Sequence, residues 1–277
     1  MRLVGESMRI FVIHLSKATC VEWGLKERNI EALLQDLDKG KHPVEVFEAI
    51  YSRTKEGLHP LVSAHLSPFF IHPSIKTSVR KRLKTYLQAC CYALKQMGMP
   101  MSLGELGCFA SHYLLWQRCL DLQEPICVLE DDILLESHFF DSLENIEKHI
   151  NSLHWVRLMH LFPEQIHATQ TQTPKISTIP HPTWGSGTQG YIIDPTAAKA
   201  FIKASKHWVM PVDFVMENTY LHGVKNYVFK PFAISEHVEN ALKGNISRDR
   251  DVSYPLLLRI FRRLHPYYVR LAQKFRK

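Results

Sequence analysis

The order of three short apolar runs most constrains the fold of this chain. "MRIFVIHL" (residues 8–15), "ICVL" (126–129) and "YIID" (191–194) are rich in branched residues, and segments of helical periodicity separate them. Runs that are apolar at successive positions suit strands buried on both faces, as in a parallel sheet covered by helices. The sequence therefore predicts an α/β fold with a mostly parallel central sheet.

The segments around these runs predict the remaining elements. Ser102 followed by Glu105 matches a capping box, and a long helix with apolar residues at helical spacing follows it up to Pro125. Residues 163–183 have the composition of a mobile surface loop over a site. The other predicted elements are helices over 22–38, 79–97 and 138–150, a helix from Pro195, strands over 44–51 and 155–162, and a loop over about 52–80.

Charge and cysteine content narrow the class of protein. The 277 residues carry 34 Lys and Arg against 27 Asp and Glu, a net charge of +7 that favours an anionic partner. The six cysteines show no paired spacing, so we expect reduced core residues in a cytoplasmic protein. No run approaches the ~18 apolar residues of a membrane span. We interpret the first seven residues as a dispensable leader.

Three adjacent carboxylates follow the "ICVL" strand. Glu130, Asp131 and Asp132 offer the hard oxygen ligands that Mg²⁺ and Mn²⁺ prefer. Alternate residues of an extended segment point the same way, so we expect Glu130 and Asp132 to face one metal site, with Asp131 as a supporting partner. The structural alternative is that these acids cap the next helix or pair with surface Lys and Arg. Their position at the end of a buried strand, where α/β sheets bind ligands, favours the metal site.

The segment around this cluster resembles a known family. "GELGCFASHYLLWQRCLDLQEPICVLEDDILLESHFFDSL" (104–143) looks like the core signature of glycosyltransferase family 25, the bacterial lipopolysaccharide and lipooligosaccharide galactosyltransferases that also include the collagen galactosyltransferases. "VIHLSK" (12–17), "TQGYIIDPTAAKAFI" (188–202) and "MPVDFVMENTY" (210–220) resemble further family segments. The resemblance implies a GT-A-like nucleotide-sugar-binding fold over residues 1–253, a UDP-sugar donor, usually UDP-galactose, a Mn²⁺ or Mg²⁺ ion, and inverting transfer that forms a β-linkage.

The same resemblance implies roles for individual residues. Inversion in one displacement needs a base for the acceptor hydroxyl. Asp213 of "PVD" is our candidate and Glu217 the runner-up, although Asp213 could instead cap the following helix. His237 follows a predicted strand at a place where the family more often has Gln, and its position makes it a candidate metal ligand beside Glu130 and Asp132, or a phosphate ligand. The residues expected to bind the donor are His14, Leu15, Arg28, Ser111, His112, Glu130, Asp131, Gly190 and Tyr191.

Two departures from the family pattern concern the donor. Tyr51 stands where the family has an Asp after its second strand, and the segment before Arg28 lacks the usual Arg-rich spelling. UDP-glucose and UDP-N-acetylhexosamine therefore stay open as donors.

Two other classes of protein also stay open. Paired acids on a basic protein suit a metal-dependent nuclease or phosphotransferase, and the fold could serve a non-catalytic glycan-binding protein.

The tail from residue 254 to 277 is a basic amphipathic segment. Its aromatic and aliphatic residues alternate with Arg and Lys at helical spacing, which suits peripheral contact with the anionic cytoplasmic face of an inner membrane. A glycolipid acceptor anchored in that membrane would make such contact useful. The alternative is a helix that packs on the domain or forms a dimer.

Overall fold

The computed structural model of the chain describes residues 8–73, 75, 82–180, 186–237 and 254–275. Its strands are β1 (Arg9–His14), β2 (Val44–Glu48), β3 (Arg53–Thr54), β4 (Gly57–Leu58), β5 (Ile126–Glu130), β6 (Ile133–Leu135), β7 (Trp155–Arg157), β8 (Thr169–Gln170), β9 (Ile176–Thr178), β10 (Gly190–Ile193), β11 (Tyr227–Phe229) and β12 (Ile234–Glu236). Its helices are α1 (Lys17–Trp23), α2 (Glu31–Leu37), α3 (Pro60–His65), α4 (Leu83–Gln96), α5 (Leu103–Leu122), α6 (Phe139–Glu147), α7 (Ile150–Leu153), α8 (Pro195–Ala204), α9 (Val212–Glu217), α10 (Thr219–His222) and α11 (Leu256–Phe275).

A central sheet orders its eight strands β2-β1-β5-β10-β7-β11-β9-β8. Strands β9 and β10 run opposite to the other six, so most of the sheet points one way. The parallel strands β2, β1 and β5 are neighbours, and their carboxyl ends therefore meet at one edge. The α/β class with a mostly parallel central sheet, predicted from the apolar runs, is confirmed.

Strand β1 shows why these runs are apolar throughout. Phe11 and Ile13 point into a core formed with α4, α5, α8 and α9, whereas Ile10 and Val12 point into a second core formed with α2, α6 and α7. Alternate residues of a strand face opposite sides of a sheet, so a strand covered on both sides needs apolar residues at every position. The sheet is the middle layer of a three-layer fold.

Several predicted element boundaries are wrong. The helix predicted over 22–38 is two helices, because Gly24 adopts a left-handed conformation with φ of 63° and ends α1. The predicted strands over 44–51 and 155–162 end at Glu48 and Arg157. The predicted loop over 52–80 contains the β3–β4 hairpin and α3, and the loop over 163–183 contributes β8 and β9 to the sheet edge. The predicted leader (1–7) and the predicted boundary at 253 lie outside the described residues.

The start of α5 confirms the capping box. Ser102 Oγ accepts a hydrogen bond from Glu105 N–H, and the Glu105 carboxylate accepts one from Ser102 N–H at 2.8 Å. Along this helix, Ser111 Oγ accepts a hydrogen bond from Ile50 N–H at 2.8 Å and donates one to Gly107 O. Helix α5 is therefore joined directly to the segment that leaves β2.

Gly107 allows this close approach, and its replacement by alanine should destabilise the fold. A Cβ atom there would lie 2.5 Å from the Ile50 carbonyl oxygen. Alanine normally stabilises a helix interior by roughly 0.5–1 kcal/mol relative to glycine. Here we expect the opposite sign, a loss of about 1–3 kcal/mol from overpacking. Urea unfolding of wild type and Gly107→Ala measures the change, and a more stable variant would show that α5 and the β2 exit are not in contact.

The C-terminal helix α11 packs along α4. Leu258, His265 and Val269 are buried in this contact, and His265 Nδ1 lies 2.8 Å from the Leu94 carbonyl oxygen. Burial lowers the pKa of His265, so its neutral ring donates to that carbonyl. Among the described helices, none combines the length and apolarity needed to cross a bilayer.

Candidate active site

A cleft opens where the carboxyl ends of β1, β2 and β5 meet the first turns of α5. This placement follows the rule that open α/β sheets bind ligands beyond the carboxyl ends of their strands. Tyr51 lies on its wall and tilts against Trp23, with 4.9 Å between ring centroids. The lining residues are Ile13, Leu15, Leu25, Lys26, Arg28, Ala49, Ile50, Tyr51, Leu103, Gly104, Gly107, Cys108, Ser111, His112, Glu130 and Asp131.

The three carboxylates do not continue the alternation of β5. Glu130 is the last residue of the strand, and Asp131 and Asp132 form a turn before β6. Asp131 accepts hydrogen bonds from His14, at 2.8 Å between Nδ1 and Oδ2, and from Arg28. The other guanidinium nitrogen of Arg28 lies 3.1 Å from Asp132 Oδ2. Arg28 and His14 thus compensate the acidic turn.

Asp132 keeps one oxygen available. Its Oδ1 is buried and makes no hydrogen bond with any residue that the structure describes. Burial raises the pKa of Asp132 to about 7, the Glu130 charge adds to this, and Arg28 opposes it. The backbone N–H of His237 donates to the Asp132 carbonyl at 2.7 Å, because β12 pairs with β6. His237 therefore lies beside the acidic turn.

Glu130 lies at the end of a chain of buried hydrogen bonds. Trp116 Nε1–H donates to the Tyr191 hydroxyl at 3.1 Å, and that hydroxyl lies 2.9 Å from His112 Nδ1. His112 Nε2 lies 3.2 Å from Glu130 Oε1, which also accepts from Thr188. In the neutral ring, Nδ1 accepts from Tyr191 and Nε2–H donates to Glu130. Burial acts to raise the pKa of Glu130, but His112, Thr188 and Arg28 hold it below its usual value.

Two sets of groups could bind a metal ion. Cys108, His112 and Glu130 place one ligand atom each within 4.8 Å of one another. Burial raises the pKa of the Cys108 thiol well above its usual value, and thiol and imidazole ligands suit softer ions than Mg²⁺. The carboxylates Glu130, Asp131 and Asp132 are hard oxygen ligands, and Asp132 has one oxygen without a partner among the described residues. By ligand type this second set suits Mg²⁺ or Mn²⁺, but among the described residues only the first set brings three ligand atoms close together.

The "GTQGY" segment lies beside Glu130, but its residues differ in position. Thr188 contacts the Glu130 carboxylate, and the Gln189 carbonyl accepts from Glu130 N–H at 2.8 Å. Gly190 is the first residue of β10, and a Cβ atom there would collide with Ile234 and approach Leu129. Gly190 and Tyr191 are therefore buried behind the site, and Tyr191 reaches it through His112.

A buried ion pair contacts the residues at the start of the "GTQGY" segment. Arg157 Nη2 lies 3.6 Å from Glu217 Oε1, and both side chains are almost fully buried. Glu217 also accepts from Ser186 N–H, and Arg157 donates to the Gly187 carbonyl. Burial lowers the pKa of Arg157, and the negative charge of Glu217 opposes this effect. Arg157 was missed in the sequence: a lone charge in the apolar "WVRLMHLF" segment is unusual, but it does not identify the partner.

Asp213 lies in the first turn of α9, one residue after the helix begins. Its Oδ1 accepts a hydrogen bond from Phe214 N–H at 2.9 Å, so it contacts the start of the helix without being its N-cap. Burial chiefly raises the pKa of the Cys108 thiol, and the charges of Glu130 and Asp213 add to this; for Arg157, the Asp213 charge opposes the lowering that burial causes. Unlike Glu217, Asp213 is only half-buried.

Acids at a parallel strand end beside a cleft mark the ligand site of an α/β protein, and comparison with known proteins identifies the family. The sequence model of glycosyltransferase family 25, described as an LPS biosynthesis protein family, matches residues 8–216. The chain therefore belongs to glycosyltransferase family 25, which confirms the resemblance noted in the sequence.

Individual relatives match over shorter stretches. Procollagen galactosyltransferase 1 of Danio rerio is 30% identical over 47% of this chain and 23% of its own length. Procollagen galactosyltransferase 2 of Homo sapiens is 29% identical over 46% of this chain and 21% of its own. Lipooligosaccharide biosynthesis protein lex-1 of Haemophilus influenzae is 30% identical over 45% of each chain. The matches thus span less than half the length of these relatives.

Proposed function

We propose that the protein is a metal-dependent inverting glycosyltransferase that transfers galactose from UDP-galactose to a lipooligosaccharide or lipopolysaccharide acceptor, forming a β-linkage. The observation that carries this proposal is the acidic turn at the edge of the cleft where β1, β2 and β5 end: Glu130 and Asp131 line the cleft, and the next residue, Asp132, has a buried Oδ1 without a partner among the described residues. Family membership and the similarity to two procollagen galactosyltransferases and to lex-1 support the sugar and the acceptor.

In this proposal, Glu130 and Asp132 hold the Mg²⁺ or Mn²⁺ ion, with His237 as a third candidate ligand. The ion would neutralise charge on the diphosphate as it leaves. His112 and Thr188 orient the Glu130 carboxylate through their hydrogen bonds. Asp131 keeps His14 and Arg28 in place, and Leu15 and Ser111 line the cleft that receives the nucleotide.

We assign the base that removes the acceptor proton to Asp213. Glu217 is 1% exposed, and its Oε1 contacts both Arg157 and Ser186, so an acceptor hydroxyl would have to enter a buried ion pair to reach it. Asp213 is half-buried in the first turn of α9 and is therefore accessible to solvent. A carboxylate needs hydrogen-bond reach to the hydroxyl it deprotonates. Solvent access therefore favours Asp213.

The acceptor class implies where the protein works. A lipooligosaccharide precursor is anchored in a bilayer, so we propose a cytoplasmic enzyme with peripheral contact to the anionic inner membrane. UDP-glucose and UDP-N-acetylhexosamine are the alternative donors, because Tyr51 changes the cleft wall where the family has an Asp.

Donor hydrolysis tests the proposal. The purified chain is incubated with UDP-galactose, UDP-glucose or UDP-N-acetylglucosamine, with Mn²⁺, Mg²⁺ or EDTA, and UDP release is measured. We expect slow, metal-dependent release that is fastest with UDP-galactose and accelerated by a lipooligosaccharide acceptor. NMR of the product gives the anomeric configuration, expected to be β.

Three results would contradict the proposal in different ways. Faster release from another donor would reassign the sugar. Binding of a glycan without turnover of any UDP-sugar would make the chain a binding protein. Cleavage of nucleic acid without binding of any UDP-sugar would favour a nuclease, which paired acids on a basic protein also suit.

A further inference from the structure

The positive charge of the protein is concentrated on one pair of packed helices. Helices α4 and α11 contain no Asp or Glu. They carry seven basic residues, which leaves 27 Lys and Arg elsewhere, equal to the 27 Asp and Glu of the chain. The net charge of +7 is therefore the charge of this helix pair. These basic residues are Lys84, Lys95, Arg259, Arg262, Arg263, Arg270 and Lys274.

Helix α11 has three distinct faces. One contains Leu258, His265 and Val269 and is buried on the domain. Another is apolar yet exposed, and its residues recur at the spacing of one helix face. This exposed apolar stripe consists of Leu256, Leu257, Ile260, Leu264, Tyr267 and Leu271. Arg259, Arg263 and Arg270 occupy the face next to the stripe, as about 100° of rotation per residue requires.

Burial on the domain does not account for the apolar stripe. Tyr267 is 68% exposed and Leu271 is 55% exposed, although the same helix already buries a separate face. Helix α4 also exposes Leu83 and Leu87, which lie one turn apart on the same face, beside Lys84. An exposed contiguous apolar surface marks an interaction site in a folded protein. Its partner must accept apolar side chains and positive charge together.

We propose that α11, with the exposed residues of α4, docks the protein flat on an anionic lipid bilayer. The apolar stripe enters the boundary between headgroups and acyl chains, and the basic residues contact the lipid phosphates. This inference deepens the proposed function, because it names the surface that brings the enzyme to a lipid-anchored acceptor. The lipid-facing side belongs to α11, separate from the acidic turn and the cleft residues.

Two other occupants fit the surface less well. A second copy of the chain would bring two groups of seven positive charges together, and like charges repel. Nucleic acid would satisfy the charge but leaves the apolar stripe in contact with phosphates and water. The bilayer alone provides an apolar layer below an anionic one.

Vesicle sedimentation tests the proposal on the full chain. Vesicles of phosphatidylcholine alone are compared with vesicles that contain phosphatidylglycerol, and the bound fraction is measured at two salt concentrations. We expect binding at least about tenfold tighter to the anionic vesicles, weakened by salt. Replacement of Leu264, Tyr267 and Leu271 by Gln should weaken binding about tenfold or more. Replacement of Arg259, Arg263 and Arg270 by Gln should do the same.

Matched controls separate docking from folding and from catalysis. Lys39 follows α2, Lys148 follows α6 and Lys175 precedes β9; all three are exposed, and replacing them by Gln changes the net charge equally. Val21→Gln removes an exposed apolar residue of α1. Both controls should bind like wild type, and every variant should retain its far-UV circular dichroism and its hydrolysis of soluble UDP-sugar.

Three results would overturn the proposal. Equal binding of wild type to neutral and anionic vesicles would show that the positive charge of α4 and α11 does not contribute to membrane binding. Unchanged binding of the Leu264, Tyr267 and Leu271 variant would show that the apolar stripe is not the surface that contacts the bilayer. A dimer in size-exclusion chromatography that dissociates in this variant, without vesicle binding by wild type, would assign the stripe to a second copy. Hydrolysis of UDP-sugar is measured separately from vesicle binding. A protein that hydrolyses the donor but does not bind vesicles would contradict the docking surface and not the proposed function.

Discussion

Asp132→Asn is expected to lower metal-dependent UDP release by about 10²–10³-fold, with little loss of stability. The reason is that Asp132 Oδ1 is buried without a hydrogen-bond partner among the described residues, so it is the carboxylate oxygen best placed to bind a cation. Asparagine keeps the shape but removes the charge. Steady-state UDP release over a range of Mn²⁺ concentrations measures the effect, and added metal should restore part of the activity.

The neighbouring acid provides the contrast. Asp131 accepts hydrogen bonds from both His14 and Arg28, so Asp131→Asn should lower the urea midpoint as well as activity. Asp121→Asn changes an exposed acid at the end of α5 and should leave both unchanged. If Asp132→Asn retained wild-type activity at limiting Mn²⁺, the metal would have to be held elsewhere, and Cys108, His112 and Glu130 would be the next set to test.

Glu217→Gln is expected to destabilise the fold by about 3–5 kcal/mol, because it leaves the buried Arg157 guanidinium without its counter-charge. Asp213→Asn should instead keep the stability and lower kcat by about 10²–10⁴-fold, as expected for loss of a general base. Urea unfolding and acceptor-dependent turnover, measured on both variants, separate the two roles.

The double variant Arg157→Met, Glu217→Met is the control for the ion pair. It removes both charges, so it should be more stable than Glu217→Gln alone, because no buried charge then lacks a partner. A stable and inactive Glu217→Gln protein, together with an active Asp213→Asn protein, would make Glu217 the base and would contradict the assignment to Asp213.

The parts of the fold that could be predicted are those with local causes. The capping box of α5 depends on residues three apart, and the strands β1 and β5 are apolar at successive positions because helices cover both faces of the sheet. The break of the helix predicted over 22–38 was missed, because a lone Gly inside a periodic pattern does not reveal its backbone angle, and Gly24 is left-handed.

In the candidate site, too, contacts between residues far apart in sequence could not be predicted from local patterns. The acidic cluster was expected to alternate in an extended strand, but the strand ends at Glu130 and the next two residues form a turn. The sequence predicted that His14 and Arg28 contact the nucleotide, and it did not predict their hydrogen bonds with Asp131. Arg157 was missed because its partner Glu217 lies on a different element, and nothing in the residues around either one indicates the pairing.

The sequence by itself determined the α/β class, the family, the position of the acidic cluster at a strand end and the amphipathic character of the tail. These depend on spacing and on residue type, which are local properties of the chain. Only the tertiary structure decided which partner each charge receives and which face of α11 stays exposed. His14 and Arg28 reach Asp131 across 117 and 103 residues, and such contacts depend on how the strands are ordered in the sheet.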